Sequence, residues 1–210
     1  MSREHILHKV RTGIGRSAGQ EPAEPPPVLL KIPETDQAQR IATFSEMLKT
    51  LSGLAHVVSS GEEARAKVAG LIEGKSAVAS NAAFLRECGI TSLPGVFTGF
   101  TNVDELREAC AQADVGITSA DYLLADTGSI VMISSPHEAR MVSLLPPVHI
   151  AVVPRDRLLT GLDELFTLIP NPEEITSSMV IITGPSRTAD IEQILIKGVH
   201  GPGMVHVVLV

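Results

Sequence analysis

Short apolar segments alternate with amphipathic segments along most of this chain, and this alternation restricts the fold more than any other feature. Strands separated by helices need crossover connections, which produce a mainly parallel sheet covered by helices on both faces. We therefore predict a three-layer α/β fold. The apolar segments that predict strands are residues 55–59, 75–79, 149–153, 179–182 and 204–210. The amphipathic segments that predict helices are residues 36–51, 60–72, 81–88, 102–113, 156–169 and 188–196.

Three of the predicted helices begin with a capping-box pattern, in which a small polar residue is followed three residues later by Glu or Gln. The pairs are Asp36 with Gln39, Ser60 with Glu63, and Asn102 with Glu105. In this pattern the first side chain accepts a hydrogen bond from a free backbone N–H of the first turn. The pattern therefore predicts where these helices begin.

The N-terminal region differs in composition from the rest of the chain. Residues 2–16 predict a basic amphipathic helix with Ile6, Val10 and Ile14 on one stripe. Five prolines between Pro22 and Pro33 predict an extended linker. We therefore divide the chain into an N-terminal helical arm with its linker, residues 1–33, and an α/β domain, residues 34–210. The arm either binds a partner or packs on its own domain, and the sequence favours neither.

Composition excludes several classes of function. The net charge is −7 and aromatic residues make up 3% of the chain, which argues against a nucleic-acid partner. No apolar run approaches the roughly 20 residues that span a bilayer, so we predict no membrane span. The N-terminus lacks the apolar core of a signal peptide. The two cysteines, Cys88 and Cys110, form no pair motif, and we predict a cytoplasmic location with both thiols reduced.

A β-hairpin is predicted at the centre of the chain. Residues 122–125 and 129–134 are aliphatic and β-branched, and Asp126-Thr127-Gly128 connects them. A three-residue connection ending in Gly is typical of a type I turn with the Gly in the left-handed conformation. Small polar residues at this turn are suited to present side chains and N–H groups rather than to fill a core.

The sequence around this hairpin resembles a known family. The resemblance is carried by ADTGS, PHEAR and SLLPPVHIAVV within residues 114–153, and by the tail TGPSRTADIEQILIKGVHGPGMVHVVLV. It is to the LUD-domain family, in particular to its lactate-utilisation protein C group. The resemblance implies the NagB/RpiA/CoA-transferase-like variant of the α/β fold. It also implies a role in converting L-lactate to pyruvate within a three-protein set, whose redox centres are iron–sulfur clusters on partner chains.

The first candidate site is the loop before the helix predicted at residues 188–196. Ligands of open α/β sheets bind at loops outside the carboxyl ends of the strands. Thr183, Gly184, Ser186, Arg187 and Thr188 offer backbone N–H groups, hydroxyls and a guanidinium, which together suit an anion. Alternatively, one of the hydroxyls only caps the helix and the guanidinium pairs with a surface carboxylate.

The second candidate site is the hairpin turn. Asp126 is a candidate catalytic carboxylate, and Thr127, Gly128 and Ser129 are candidates for binding a ligand head group. In the related CoA transferases a glutamate attacks a thioester, and LUD sequences commonly have Glu where this chain has Asp126. The alternative is a turn carboxylate that accepts hydrogen bonds from its own backbone.

The remaining candidates are His200 and Arg140. His200 lies between Gly198 and Gly201, which allow close backbone approach, and an imidazole there suits acid–base chemistry near neutral pH. Arg140 ends the PHEAR segment and is a candidate clamp for a carboxylate. A turn histidine bonded to the backbone and a solvated surface arginine are the alternatives.

Metal and redox cofactors are not predicted in this chain. His137, His149 and His200 lack the spacing of a metal site, and two isolated cysteines cannot supply the four ligands of an iron–sulfur cluster. No Gly-x-Gly-x-x-Gly motif follows a predicted strand.

Two functional hypotheses remain. The first is a cluster-free, ligand-binding or accessory subunit of an L-lactate utilisation system, with iron–sulfur protein partners. The second is a stand-alone enzyme or binding protein of the CoA-transferase-like class that acts on a small anionic metabolite, such as an acyl-CoA or a sugar phosphate. Its site would join Asp126, Ser186, Arg187 and His200 in a deep cleft. The oligomeric state stays open.

Overall fold

A computed structural model describes residues 2–15, 17, 19, 33, 35–189 and 195–210 of the chain. The chain divides into two compact units, Met1–Leu30 and Lys31–Val210. In the first unit, helix α1 is Arg3–Gly13, and Ser2 Oγ accepts a hydrogen bond from the His5 N–H at 3.3 Å. The predicted N-terminal helix is therefore present. Most of the predicted Pro-rich linker, residues 17–33, lies outside the described residues.

Among the described residues, the other helices and strands lie in the second unit. Its helices are α2 Gln37–Thr50, α3 Gly61–Leu71, α4 Ala83–Glu87, α5 Val103–Gln112, α6 Arg140–Leu144 and α7 Leu162–Leu168. Its strands are β1 Leu54–Val57, β2 Ala77–Ala79, β3 Val96–Phe97, β4 Val115–Thr118, β5 Tyr122–Leu124, β6 Ser129–Ile133, β7 Val148–Val153, β8 Leu158–Leu159, β9 Met179–Ile182, β10 Arg187–Ala189, β11 Leu195–Lys197 and β12 Met204–Leu209.

The main sheet has six strands in the order β1-β12-β7-β4-β2-β3, and every neighbouring pair is parallel. The last strand of the chain, β12, is inserted between β1 and β7, with Met204 opposite Val148 and Leu209 opposite Val153. The predicted parallel α/β architecture is confirmed.

Helices cover both faces of this sheet, so the three-layer arrangement is also confirmed. On one face, Val68 of α3 and Leu85 of α4 pack against Ile117, Ile150 and Val208. The opposite face is covered by α2, through Phe44 and Leu48, and by α5 and α6, through Cys110 and Val142. These buried clusters form the core of the unit.

A second sheet of four strands, in the order β8-β5-β6-β9, packs beside α2. Its centre is the predicted hairpin: β5 and β6 are antiparallel, with Leu124 opposite Ser129. Gly128 has a φ of 64°, which is the predicted left-handed conformation. A Cβ at Gly128 would lie 2.6 Å from the Leu48 backbone N, so the turn packs tightly against the end of α2.

The predicted helix starts are confirmed by their hydrogen bonds. Asp36 Oδ1 accepts from the Gln39 N–H at 2.7 Å, and Ser60 Oγ accepts from the Glu63 N–H at 3.2 Å. Asn102 Oδ1 accepts from the N–H groups of Asp104, at 2.8 Å, and Glu105, at 3.3 Å. Each cap satisfies N–H groups that the first turn of a helix leaves free.

The helix predicted at residues 188–196 is wrong. The backbone of this region instead forms strands β10 and β11, which pair antiparallel with Thr188 opposite Ile196, and residues 190–194 lie outside the described part of the chain. β-Branched residues are suited to strands, and the apolar spacing over so short a segment does not separate a helix from a strand pair.

The helix predicted at residues 156–169 is only half correct. The segment begins with a 3-10 turn at Arg155–Arg157 and the short strand β8, and the helix is confined to α7. Leu158 and Leu159 are both buried, but in clusters on opposite sides of the second sheet. Consecutive side chains on opposite faces require a strand rather than a helix.

No helix within the described residues is long and apolar enough to cross a membrane.

Candidate functional site

Five of the predicted site residues line one cavity of about 190 Å³ between α6, β9 and the loop before β12. We call this cavity the Arg140 pocket. The predicted residues that it contains are Arg140, Thr183, Gly184, Ser186 and His200. The rest of its wall is formed by Ser143, Leu144, Val180, Ile182, Gly201 and Pro202. Side chains from three separate parts of the chain therefore meet at this pocket.

Backbone hydrogen bonds hold the two loops of the Arg140 pocket together. The Ser186 N–H donates to the Pro202 carbonyl at 2.8 Å, and the Gly198 N–H donates to the Ser186 carbonyl at 3.0 Å. The Gly203 N–H donates to the Pro147 carbonyl at 3.0 Å, immediately before β7. The pocket therefore lies where β7 and β12 begin. The sequence predicts these loops at the carboxyl ends of strands that lead into helices, and for the loop that precedes β12 this prediction is wrong.

Arg140 supplies a positive charge to the pocket. It is the first residue of α6, and its Nη1 donates to Ser178 Oγ at 3.3 Å. A guanidinium carries five N–H donors in a planar fork, so this hydrogen bond leaves other donors for a ligand. Thr183 and Ser186 add hydroxyl groups, and His200 adds an exposed imidazole. Together these groups can bind a carboxylate that carries a neighbouring hydroxyl.

Arg187 is not among the described residues that line the Arg140 pocket. Arg187 Nη2 donates to the carbonyl of Leu51, the C-terminal capping residue of α2, and to Ser52 Oγ at 3.2 Å. A cation at this position stabilises the free carbonyls at the end of a helix. Thr188 lies in β10, where the predicted helix start is absent. Arg187 therefore binds a backbone carbonyl and a hydroxyl here, whereas the sequence analysis offered an anion or a surface carboxylate as its partner.

Asp126 also lies outside the Arg140 pocket. It lines a different cleft, of about 370 Å³, together with Thr160, Gly161 and the acidic residues Asp163 and Glu164. Its N–H donates to the Thr160 carbonyl at 3.0 Å, and a Cβ at Gly161 would lie 2.3 Å from its Oδ2. The carboxylate therefore packs directly against Gly161. Asp126 and His200 line separate cavities.

The hairpin turn nevertheless contacts the Arg140 pocket through a chain of hydroxyl groups. Ser129 Oγ donates to Thr127 Oγ1 at 2.8 Å and lies 2.9 Å from Thr183 Oγ1. Ser129 is buried and Thr183 lines the pocket. The hydroxyl of Ser129 therefore orients a wall residue instead of contacting a ligand itself.

Glu138 is a buried carboxyl group that the sequence analysis did not select. Its side chain is 9% exposed, and its Oε1 accepts hydrogen bonds from Ser80 Oγ at 3.0 Å and from the Ser119 N–H at 2.9 Å. Its Oε2 is buried and has no hydrogen-bond partner in the described structure. Burial raises the pKa of Glu138 to about 8, against the opposing effect of the two hydrogen bonds.

A second carboxyl group with a raised pKa, Asp121, lies near Glu138. Burial raises the pKa of Asp121, while a hydrogen bond from the Ile133 N–H to Oδ2, at 2.6 Å, and the charge of Arg157 lower it. The negative charge of Asp121 contributes to the raised pKa of Glu138. The signal available in the sequence was a Glu between Pro136 and Arg140, but its burial depends on contacts with distant residues.

Two histidines in the main sheet are buried and uncharged near neutral pH. His149 Nε2 lies 2.8 Å from Thr118 Oγ1, and burial lowers the pKa of His149 to about 4. His206 Nδ1 lies 3.1 Å from His56 Nε2, and burial, followed by the charges of His56 and Lys75, lowers the pKa of His206 to about 4. The described residues contain no group of three His, Cys, Asp or Glu that could hold a metal ion.

The chain was compared with known families and proteins. The sequence model of the LUD domain matches residues 41–210. Lactate utilization protein C of Halalkalibacterium halodurans is 42% identical over 106 residues, which cover 49% of this chain and 46% of that protein. Lactate utilization protein C of Bacillus subtilis is 43% identical over 103 residues, covering 47% of this chain and 43% of that protein. The chain therefore spans about half the length of these curated relatives.

The fold is similar to one that has been solved. A crystal structure of a DUF162 family protein from Deinococcus radiodurans superposes with a TM-score of 0.65, and it covers 83% of this chain and 98% of that chain. The sequences are 19% identical, so this likeness supports the α/β fold alone.

Proposed function

This chain belongs to the LUD domain family, and on that premise we propose that it is a component of L-lactate utilisation that binds a small carboxylate in the Arg140 pocket. The names of the similar curated proteins support the role in lactate utilisation. Because the matched regions cover only about half of those proteins, the activity of the whole system is part of the proposal. Oxidation of L-lactate to pyruvate requires an electron acceptor, which we assign to iron–sulfur partner chains.

The observation that carries the binding proposal is the convergence of Arg140, Ser186 and His200 on one pocket. A guanidinium binds a carboxylate through two parallel hydrogen bonds, and this geometry fixes the orientation of the ligand. A hydroxyl of Ser186 or Thr183 is then placed to bond the neighbouring 2-hydroxyl or 2-oxo group of lactate or pyruvate. His200 adds a further polar group at the same wall.

The size of the pocket favours a small metabolite over the alternative ligands. Its volume is about 190 Å³, whereas pockets for drug-sized ligands have about 300–1,000 Å³. An acyl-CoA does not fit inside such a volume. In addition, Asp126 and Arg187, two of the four residues that the stand-alone enzyme hypothesis requires, lie elsewhere. Both observations support the accessory, carboxylate-binding hypothesis.

The binding proposal is tested by calorimetric titration of the full chain with L-lactate, D-lactate and pyruvate. Arg140→Gln is expected to weaken binding about 10- to 100-fold, because a hydrogen bond to a charged group contributes about 1.5–3 kcal/mol. Arg107→Gln is the matched control, since Arg107 is exposed on α5 and pairs with Asp104 at 2.7 Å. Equal affinity of the wild type and Arg140→Gln would contradict the proposal.

The role in the system is tested separately in cells that need this gene for growth on L-lactate. We expect Arg140→Gln to impair growth on L-lactate while Arg107→Gln supports it. Anaerobic affinity purification of the tagged chain is expected to recover iron-containing proteins with lactate-oxidising activity. Recovery of this chain alone, free of iron, would refute a stable complex with iron–sulfur partners.

A further inference from the structure

A second cavity lies at the opposite edge of the main sheet, and we propose that it binds an uncharged organic molecule through a carbonyl oxygen. This cavity, which we call the carboxyl-edge cleft, has a volume of about 540 Å³. It is lined by Asn81, Phe100, Thr101, Asn102, Val103, Leu106, Ser135, Pro136, His137 and Ala139. None of these residues belongs to the Arg140 pocket, so the proposal is independent of the proposed function.

The cleft lies where ligands of parallel α/β sheets bind. Asn81 follows the carboxyl end of β2, and Phe100 follows that of β3. Ser119 follows the carboxyl end of β4, the other neighbour of β2. The loops outside the carboxyl ends of parallel strands are the general ligand-binding position of such sheets. The Arg140 pocket, by contrast, lies where β7 and β12 begin.

The carboxyl-edge cleft becomes narrow toward Ser80. A small cavity of about 30 Å³ shares six lining residues with the cleft and adds Ala79, Ser80 and Val142. The shared residues are Asn81, Phe100, Leu106, Pro136, His137 and Ala139. A volume of this size holds about one water molecule. The narrow end therefore fits one ligand oxygen, and the wide part fits the body of the ligand.

The lining of the cleft selects against charged ligands. The described lining residues include no Lys, Arg, Asp or Glu, and Phe100, Val103 and Pro136 form apolar parts of the wall. A charged group placed there would lose its hydration without gaining an opposite charge. Mostly apolar walls with a few polar groups are typical of pockets for small organic molecules.

Asn81 fixes the two walls of the cleft in place. Its Nδ2 donates to the Phe100 carbonyl at 2.9 Å, and its Oδ1 accepts from the Gly99 N–H at 2.9 Å. Its own N–H donates to the His137 carbonyl at 2.9 Å. One residue thus joins the loop after β3 to the segment before α6. Because these bonds are formed within the protein, the cleft exists before a ligand enters.

Asn81 also supplies a donor for this ligand oxygen. It lines both the cleft and its narrow end, and of the two N–H groups of its side-chain amide one donates to the Phe100 carbonyl. The acceptor oxygen of a ligand fits the second N–H group. The buried carboxyl group of Glu138 lies behind this wall, between the lining residues His137 and Ala139, and accepts a hydrogen bond from Ser80.

The test uses a neutral probe, N-methylbenzamide, and its charged analogue, phenylacetate, in NMR titrations of the full chain. We expect the neutral probe to shift the amide signals of Asn81, Phe100 and His137, and phenylacetate to leave them unchanged. Equal binding of the two probes would overturn the assignment of an uncharged ligand. Shifts scattered over the surface would overturn the site.

Substitutions then locate the site without disturbing the core. Val103 is 59% exposed at the mouth of the cleft, so Val103→Arg is expected to fold and to weaken binding of N-methylbenzamide at least tenfold. Gln112→Arg, at an exposed position on the same helix, is the matched control and should bind normally. Arg140→Gln should also leave this titration unchanged, which separates this site from the Arg140 pocket. Normal binding by Val103→Arg would refute the proposal.

Discussion

The Arg140 pocket and the carboxyl-edge cleft share one wall segment but differ in chemistry. The segment runs through His137 and Ala139, which line the cleft, into Arg140, which lines the pocket. The pocket combines a guanidinium, hydroxyls and an exposed imidazole at the start of β7 and β12. The cleft combines apolar side chains with amide and hydroxyl groups at the ends of β2 and β3, and the buried carboxyl group of Glu138 lies behind its wall.

The difference shows how one short segment can serve two sites of opposite polarity. Arg140 is exposed and donates a hydrogen bond to Ser178, so it keeps its charge near solvent. Glu138, two residues earlier, inserts between Ser80 and Ser119, where burial favours its neutral form. Because α6 follows directly, its position on the sheet determines the geometry of both sites.

The largest effect is therefore expected when α6 is displaced from the sheet. A Cβ at Gly116 of β4 would lie 1.9 Å from the Val142 carbonyl oxygen of α6. Gly116→Ala is expected to destabilise the fold by about 3 kcal/mol or more, because backbone atoms must move. Chemical denaturation measures this change, and carboxylate and N-methylbenzamide binding should weaken together.

Gly70→Ala is the control for this substitution. Gly70 is inside α3, where an added Cβ would meet nothing within 4 Å. Replacing Gly by Ala in a helix interior stabilises by roughly 0.5–1 kcal/mol. If Gly116→Ala weakened binding at only one of the two sites, the shared role of α6 would be contradicted.

The second effect concerns the pH dependence that Glu138 gives to the fold. Its pKa is about 8 in the folded chain and 4.5 for the ordinary group. Below pH 4.5 the carboxyl group is protonated in both the folded and the unfolded chain, so its contribution to the free energy of unfolding is fully present. As the pH rises toward 8, the unfolded chain releases the proton first, and the free energy of unfolding falls by up to about 1.4 kcal/mol per pH unit.

Denaturation of the wild type and of Glu138→Gln at intervals between pH 5 and 8 measures this contribution. The amide is neutral at every pH, so Glu138→Gln is expected to remove this decline in stability with rising pH. The buried His149 and His206, whose pKa values are lowered from 6.5 to about 4, reduce stability as the pH falls below 6.5. This effect is common to both proteins, so the difference between their slopes measures Glu138. Identical slopes for the two proteins would show that Glu138 is ionised in the folded state.

Local sequence patterns predicted the hairpin, the helix caps and the parallel sheet because each depends on neighbouring residues. The Gly128 conformation follows from a turn of defined length, and the Asp36 cap follows from its spacing to Gln39. The helix prediction for residues 188–196 was wrong because their apolar spacing fits both a helix and a strand pair. A local pattern identifies a helix or strand only where the length of the segment and the capping or turn residues at its ends indicate the same element.

The carboxyl-edge cleft could not be predicted in the same way. β4 was missed because it has four residues and contains Gly116, which weakens the strand signal. Glu138 acquires its environment from Ser80, 58 residues away, and from Ser119, at the end of that missed strand. The Arg140 pocket was partly predicted, because its polar residues lie in loops that glycines mark in the sequence. The end of the sheet at which these loops lie was not predicted correctly.

A smaller effect is expected for the hydroxyl chain behind the Arg140 pocket. Ser129→Ala removes the hydrogen bonds of Ser129 Oγ with Thr127 and Thr183. We expect a loss of about 1 kcal/mol of stability and a fewfold weaker carboxylate binding, because Thr183 loses its orientation. Thr50→Ala, which removes an exposed hydroxyl bonded to Met47 in its own helix, is the control. Any effect of Ser129→Ala on N-methylbenzamide binding would contradict the separation of the two sites.

The smallest effect is expected for Asp126→Asn. Asp126 lies in a third cleft beside Asp163 and Glu164, so the substitution removes no lining residue of the Arg140 pocket or of the carboxyl-edge cleft. Carboxylate binding and N-methylbenzamide binding should both stay within about twofold of the wild type, since substitutions away from a site change energies by about 0.5 kcal/mol or less. Growth on L-lactate is the decisive additional measurement. Asp126→Asn could abolish growth while both affinities and the stability stay unchanged. In that case the essential chemistry would lie in the third cleft. The Arg140 pocket and the carboxyl-edge cleft would then differ in what they bind and not in what they catalyse.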